Sequence, residues 1–106
     1  MDLTPLTYEI LLALADGNGH GYGILKDMER RGGPVPSTGA MYLALHRMVS
    51  EGLIEEAPAP PDEEDARRRY YRITRRGREA ARQESGRLAE LVARARSTGL
   101  LVEEPA

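Results

Sequence analysis

The sequence predicts a mainly α fold with a small β-hairpin, arranged as a winged helix-turn-helix followed by a long C-terminal helix. Three observations carry that prediction. Apolar residues recur at helical spacing in four segments punctuated by Gly and Pro. After the third segment come two short strand-like stretches, LIEEA and RRRYYRIT, joined by the acidic, Pro-rich turn PAPPDEEDA. The fourth segment, some two dozen residues, spans roughly 36 Å and outruns a small domain.

The first helix starts at Thr4-Pro5, a capping hydroxyl followed by Pro where its missing N–H costs nothing. Leu6, Ile10, Leu11 and Leu14 give it one buried face, and Asp16-Gly17-Asn18-Gly19 ends it. His20-Gly21-Tyr22 opens the second helix, with Tyr22, Leu25 and Met28 as its expected apolar stripe. The run Gly32-Gly33-Pro34-Val35-Pro36 stops it. Ser37 caps the third helix, which is expected to reach Glu51 before Gly52. Met41, Leu45, Met48 and Val49 should face inward, leaving Gly39, Leu43, His46 and Ser50 outside with Tyr42 and Arg47 on the flanks.

Leu53-Ile54 begins the first strand. The turn Pro58 to Ala66 is too Pro-rich and acidic for sheet and is expected to be a mobile wing tip. Three arginines should open the second strand, with Tyr71 and Ile73 in the core and Arg68, Tyr70 and Arg72 on the other side. Thr74 caps the last helix, which Thr98-Gly99 end. Its apolar residues Leu88, Leu91, Val92 and Ala95 outrun the domain and need a partner. These signals divide the chain into a winged domain, residues 1–74, and a dimerisation helix with its tail, residues 75–106.

A chain of 106 residues supports one domain of modest core plus an appended element. No apolar run approaches membrane-spanning length. The N-terminal stretch begins with Asp2 and carries Glu9, unlike a secretory signal, so a cytoplasmic location is expected. Cysteine is absent, which excludes disulfides, thiolate metal sites and a Cys nucleophile. The two histidines, His20 and His46, form no metal-ligand pair, and the glycines at 17, 19, 21 and 23 fit no Gly-x-Gly-x-x-Gly register. No catalytic constellation, metal or cofactor is expected.

The net charge of −2 hides a strong asymmetry. Between Ala66 and Ser97 lie 11 arginines and 3 glutamates, a local charge of +8 against −10 for the remainder. Phosphates respond to the nearby patch within a Debye length of about 8–10 Å. The arrangement therefore predicts a sequence-reading binder of double-stranded DNA. Ser37, Thr38 and Gly39 offer hydroxyls and backbone N–H groups at a helix N-terminus. Tyr42 offers a phenol to a phosphate, His46 and Arg47 reach toward base edges or backbone, and Arg67, Arg68 and Arg69 supply the wing's charge. Asp62, Glu63, Glu64 and Asp65 lie across the turn as internal competitors for those arginines.

Five local patterns resemble the PadR family of bacterial transcriptional regulators. They are Leu3-Thr4-Pro5-Leu6, His20-Gly21-Tyr22, Gly39-x-x-Tyr42-x-Ala44-Leu45, Gly52-Leu53-Ile54, and Arg69-Tyr70-Tyr71-Arg72-Ile73-Thr74-x-x-Gly77. The resemblance implies a homodimer joined through the C-terminal helix, acting as a repressor released by a small-molecule effector. Leu43 and His46-Arg47 stand where the family often has Pro and paired basic residues. An effector pocket is expected along the last helix near Leu88, Leu91 and Val92. The chain has no Trp and no Phe, so planar ligands cannot stack on an interface tryptophan as in several multidrug-binding relatives. The competing readings are a winged-helix protein-interaction module, which the net acidity favours, and a ligand sensor acting on a partner protein.

Overall fold

The computed structural model describes residues 3–102, and within them four helices surround a three-stranded antiparallel sheet. In chain order these are α1 (Pro5–Ala15), β1 (Gly19–His20), α2 (Gly21–Arg31), α3 (Thr38–Ser50), β2 (Ile54–Ala57), β3 (Tyr70–Ile73) and α4 (Arg75–Ser97). Each helix starts on a side-chain cap: Thr4 for α1, His20 for α2, Ser37 for α3 and Thr74 for α4. Helix α3 ends in a Schellman motif. Gly52 takes φ +76°, its N–H donates to the Val49 carbonyl (3.0 Å), and that of Leu53 donates to Met48 (3.0 Å).

The core is built from one face of each of the first three helices and the strands. Ile10, Leu11 and Leu14 of α1 meet Ile24, Leu25 and Met28 of α2, with Met41, Leu45 and Met48 of α3. Leu53, Ile54 and Tyr71 close it from the sheet side. Two expected core positions lie at its edge instead. Tyr22 is 49% exposed, because Gly21, Ile24, Leu25 and Met28 occupy the buried face of α2. Val49 is 38% exposed, one position off the Met41–Leu45–Met48 line.

The sheet departs from a two-stranded hairpin. Strand β1 pairs with β3, Gly19 opposite Tyr71 and His20 opposite Tyr70, so β3 is central in the order β1-β3-β2. That third strand buries Tyr70, which the alternation of residues 67–74 places on the outer side with Arg68 and Arg72. Strand β3 also starts later than expected. Its ladder with β2 ends at Ala57 opposite Tyr70. Pro58 has no N–H to continue it, which leaves Arg67–Arg69 in the preceding loop.

The wing tip, expected to be mobile, is folded into two hydrogen-bonded turns. Glu63 N–H donates to the Pro60 carbonyl (3.0 Å) and Arg68 N–H to that of Asp65 (3.1 Å).

Helix α4 runs antiparallel to α1. Arg78 donates to the Ala15 carbonyl (3.2 Å), and the hydroxyls of Tyr8 and Ser85 share a 2.7 Å hydrogen bond. The first turn packs so tightly on the α3–β2 junction that a Cβ on Gly77 would collide with the Leu53 carbonyl oxygen. Past Ser85 the helix leaves the domain. Its 23 residues account for most of the molecule's 50 Å length.

Candidate nucleic-acid interface

Burial of Met41, Leu45 and Met48 turns the other side of α3 to solvent. Thr38, Gly39, Tyr42, Leu43, His46, Arg47 and Ser50 are all exposed. Ser37 is committed locally, since its Oγ accepts from Ala40 N–H (3.1 Å). Tyr42 serves two purposes. A Cβ on Gly21 would stand 3.1 Å from its ring, so the phenol packs on the α2 N-terminus while remaining 47% exposed.

A cavity of about 420 Å³ brings Tyr42 together with Arg67, Arg68 and Arg69; His20, Tyr22 and Asp65 complete its lining. His46 and Arg47 lie outside it, further along the same exposed face of α3. The concavity thus joins the start of α3 to the arginine loop of the wing.

Each wing arginine has an acidic partner. Arg67 pairs with Asp65 (3.3 Å), Arg68 with Glu63 (3.2 Å) and Arg69 with Glu56 on β2 (2.9 Å). Their exposures differ, at 92%, 37% and 70% respectively. Arg67 is the most accessible of the three and Arg68 the most enclosed.

Arg68 belongs to a cluster that the sequence did not reveal. Its guanidinium lies 5.4 Å from the Tyr22 ring centre, within cation–π range. The His20 ring stacks parallel to Tyr22 at 6.4 Å and meets the Tyr70 ring edge-on at 5.0 Å. The Tyr70 hydroxyl donates to Glu63 (2.5 Å), whose other carboxylate oxygen accepts from Asp65 N–H (3.2 Å). These contacts fasten the wing tip to the start of α2.

The electrostatics follow from that packing. The Tyr70 hydrogen bond, helped by Asp65 N–H and Arg68, holds the Glu63 carboxyl below its ordinary range. Tyr70 is raised in turn by the bond to Glu63. Burial lowers His20, and the nearby Arg68 charge lowers it further. The neutral ring suits its role, because Nδ1 must accept from Gly23 N–H (3.0 Å) to cap α2. Among the described residues no group of three or more His, Asp or Glu is arranged to hold a metal, and no helix is long and apolar enough to cross a membrane.

On α4, Leu91 and Val92 are 44% and 43% exposed, and Leu88 and Ala95 are half-buried. Leu100 and Val102, past the end of the helix, are exposed as well.

Residues 10–83 match the transcriptional regulator PadR-like family. The chain belongs to that family. Its fold superimposes on a PadR family transcription regulator from hypervirulent Clostridium difficile R20291 with TM-score 0.77 and 25% identity, covering 90% of this chain and 98% of that one. A transcriptional regulator from Clostridium thermocellum gives TM-score 0.70 and 27% identity, covering 88% and 87%. In sequence, 85 residues are 36% identical to an uncharacterized 37.1 kDa protein in transposon TN4556 of Streptomyces fradiae. That match covers 80% of this chain and only 23% of the relative. The winged helix fold, with its small sheet and four helices, is therefore that of PadR-like transcriptional regulators. Three of the four motif glycines of this PadR-like chain sit where atoms crowd or the backbone turns left-handed: Gly21 against Tyr42, Gly52 after α3, and Gly77 against Leu53; Gly39 has open space around it.

Proposed function

We propose that this PadR-like regulator is a dimeric, sequence-specific DNA binder that represses transcription from a pseudo-palindromic operator. The observation that carries the reading is the shared concavity of Tyr42 and the wing arginines, with the exposed face of α3 beside it. A helix fits a major groove, while the arginine loop approaches the flanking phosphates. Thr38, Gly39 and the capped start of α3 approach the backbone. Tyr42 contacts a phosphate, and His46 and Arg47 face the base edges. Arg67 and Arg69 reach phosphates at the wing, and Arg68 mainly holds the wing in place. Leu88, Leu91, Val92 and Ala95 pair two α4 helices and set the two α3 helices about 34 Å apart, one helical turn of DNA. A small-molecule effector acts by favouring a different pairing of the subunits.

Selection of bound DNA from a random pool tests this reading, with an Arg67→Ala/Arg68→Ala/Arg69→Ala variant as control. One inverted repeat should be enriched, and the variant should lose most of its retention. Loss of each phosphate contact should lower the log–log salt slope by roughly one. Absence of any salt-sensitive retention would instead favour a winged-helix interaction module, which the acid partners of all three arginines make the second reading.

A further inference from the structure

Resting on the DNA-binding reading, we infer that Asp65 and Glu56 are specificity determinants. They occupy the wing arginines in the free protein and so suppress attachment to arbitrary DNA. Arg67 and Arg69 are the two most exposed cations of the wing, at 92% and 70% against 37% for Arg68 and 50% for Arg72, yet each is held by a carboxylate, at 3.3 and 2.9 Å. The Asp65 carboxylate has a second partner in the protein, and Glu56 is carried on paired backbone. Asp65 Oδ1 also accepts the backbone N–H of Arg67 (2.9 Å), and Glu56 is set by its place opposite Tyr71 in the β2–β3 ladder. The same oxygen chemistry that a phosphate would offer is thus already present at each guanidinium.

The consequence is an exchange. DNA must replace a carboxylate at each arginine, so the wing adds less to sequence-independent binding than free arginines would, such binding resting on phosphate neutralisation. Contacts of the exposed α3 face with base edges face no such internal competitor. They therefore supply a larger share of the affinity, and the operator is favoured over bulk DNA by weakening the alternative.

The test is an Asp65→Asn/Glu56→Gln double variant. Both changes preserve shape, and the amide oxygen that replaces Asp65 Oδ1 can still accept from Arg67 N–H. A Glu9→Gln/Asp16→Asn double variant, exposed on α1 and at its C-terminal end, matches the change in net charge. The readout is affinity for the selected operator and for a scrambled duplex across a salt series. The expected result is scrambled-duplex binding about threefold or more tighter than in the charge-matched control, with a smaller gain on the operator. Equal gains in both double variants would overturn the proposal while leaving DNA binding intact. If the wild-type chain retains neither duplex at low salt, the DNA-binding reading itself falls, and the specificity role with it.

Discussion

At the residue scale, two glycines of α4 show how little composition reveals about consequence. Gly86 sits in the interior of the helix, where Ala is ordinarily preferred by about 1 kcal/mol, and Gly77 in its first turn. Gly86 has open space around it, so Gly86→Ala should stabilise the protein by up to that amount. A Cβ on Gly77 would instead run into the Leu53 carbonyl oxygen and stand 3.0 Å from the Ile73 side chain. A backbone oxygen cannot swing aside, so Gly77→Ala should cost about 3 kcal/mol or more, the upper end for overpacking. Urea denaturation of the two variants side by side checks both signs.

His20 supplies a second prediction at this scale. Its folded pKa lies below the ordinary value of 6.5, so between the two values the unfolded chain binds more protons. Stability is then complete above about pH 6.5 and falls as pH drops toward the lowered folded value. Melting temperatures measured from pH 8 to pH 5 should decline below about 6.5 in the wild type. They should decline less in His20→Asn, which keeps a capping side chain without a titrating ring.

At the element scale, the helices were legible because each carries its own punctuation. Thr4, Ser37 and Thr74 cap where the sequence offers hydroxyls, and Gly52 and Gly99 adopt the left-handed turn that ends α3 and α4. Strand β1 was not legible. Two residues set among turn formers have no periodicity, and only pairing with a strand some 50 positions later makes them sheet. The start of β3 was missed for a similar reason, since alternation in RRRYYRIT does not reveal that its partner strand stops at Pro58. The exposed face of α3 was legible from helical periodicity. The cluster of His20, Tyr22, Glu63, Arg68 and Tyr70 was not, because it unites separate segments through side chains and through the equally illegible β1–β3 pairing that sets His20 opposite Tyr70. Its structural weight can be measured. Tyr70→Phe removes the donor to Glu63, so amide exchange at residues 63–68 should accelerate while the amides of α1 and α3 keep their protection. Unchanged exchange at the tip would mean that the two backbone turns hold it unaided.

At the scale of the whole molecule, the outer half of α4 carries apolar side chains on its surface. Leu91 and Val92 project from a helix segment beyond the Tyr8–Ser85 contact, where α1 is already near its end. Under the proposed pairing, Leu91→Glu/Val92→Glu should sediment as a monomer with an unchanged helical spectrum, whereas the wild type sediments as a dimer at micromolar concentration. A wild type that remains monomeric at tens of micromolar would remove the basis for a two-headed operator reader. The first turns of α4, by contrast, are inseparable from the winged core through Gly77 and Arg78, so shortening the chain at residue 74 should expose apolar surface and impair folding.

A single residue, Thr74, separates β3 from α4, and it is tied down on both sides. Its N–H donates to the Leu53 carbonyl (3.1 Å), and its hydroxyl donates to Gly52 (2.6 Å) while accepting from Gly77 N–H (3.0 Å). Wing, sheet and long helix therefore form a beam with no joint. In a dimer built on that beam, the pitch between the two reading heads is a manufactured length. Inserting one base pair between operator halves would shift one half by about 3.4 Å and rotate it by about 35°. No hinge exists at Thr74 to follow that change, so the spacer should be read as strictly as the bases. Under the proposed pairing, a signal that releases the DNA would act at the seam where the two beams meet.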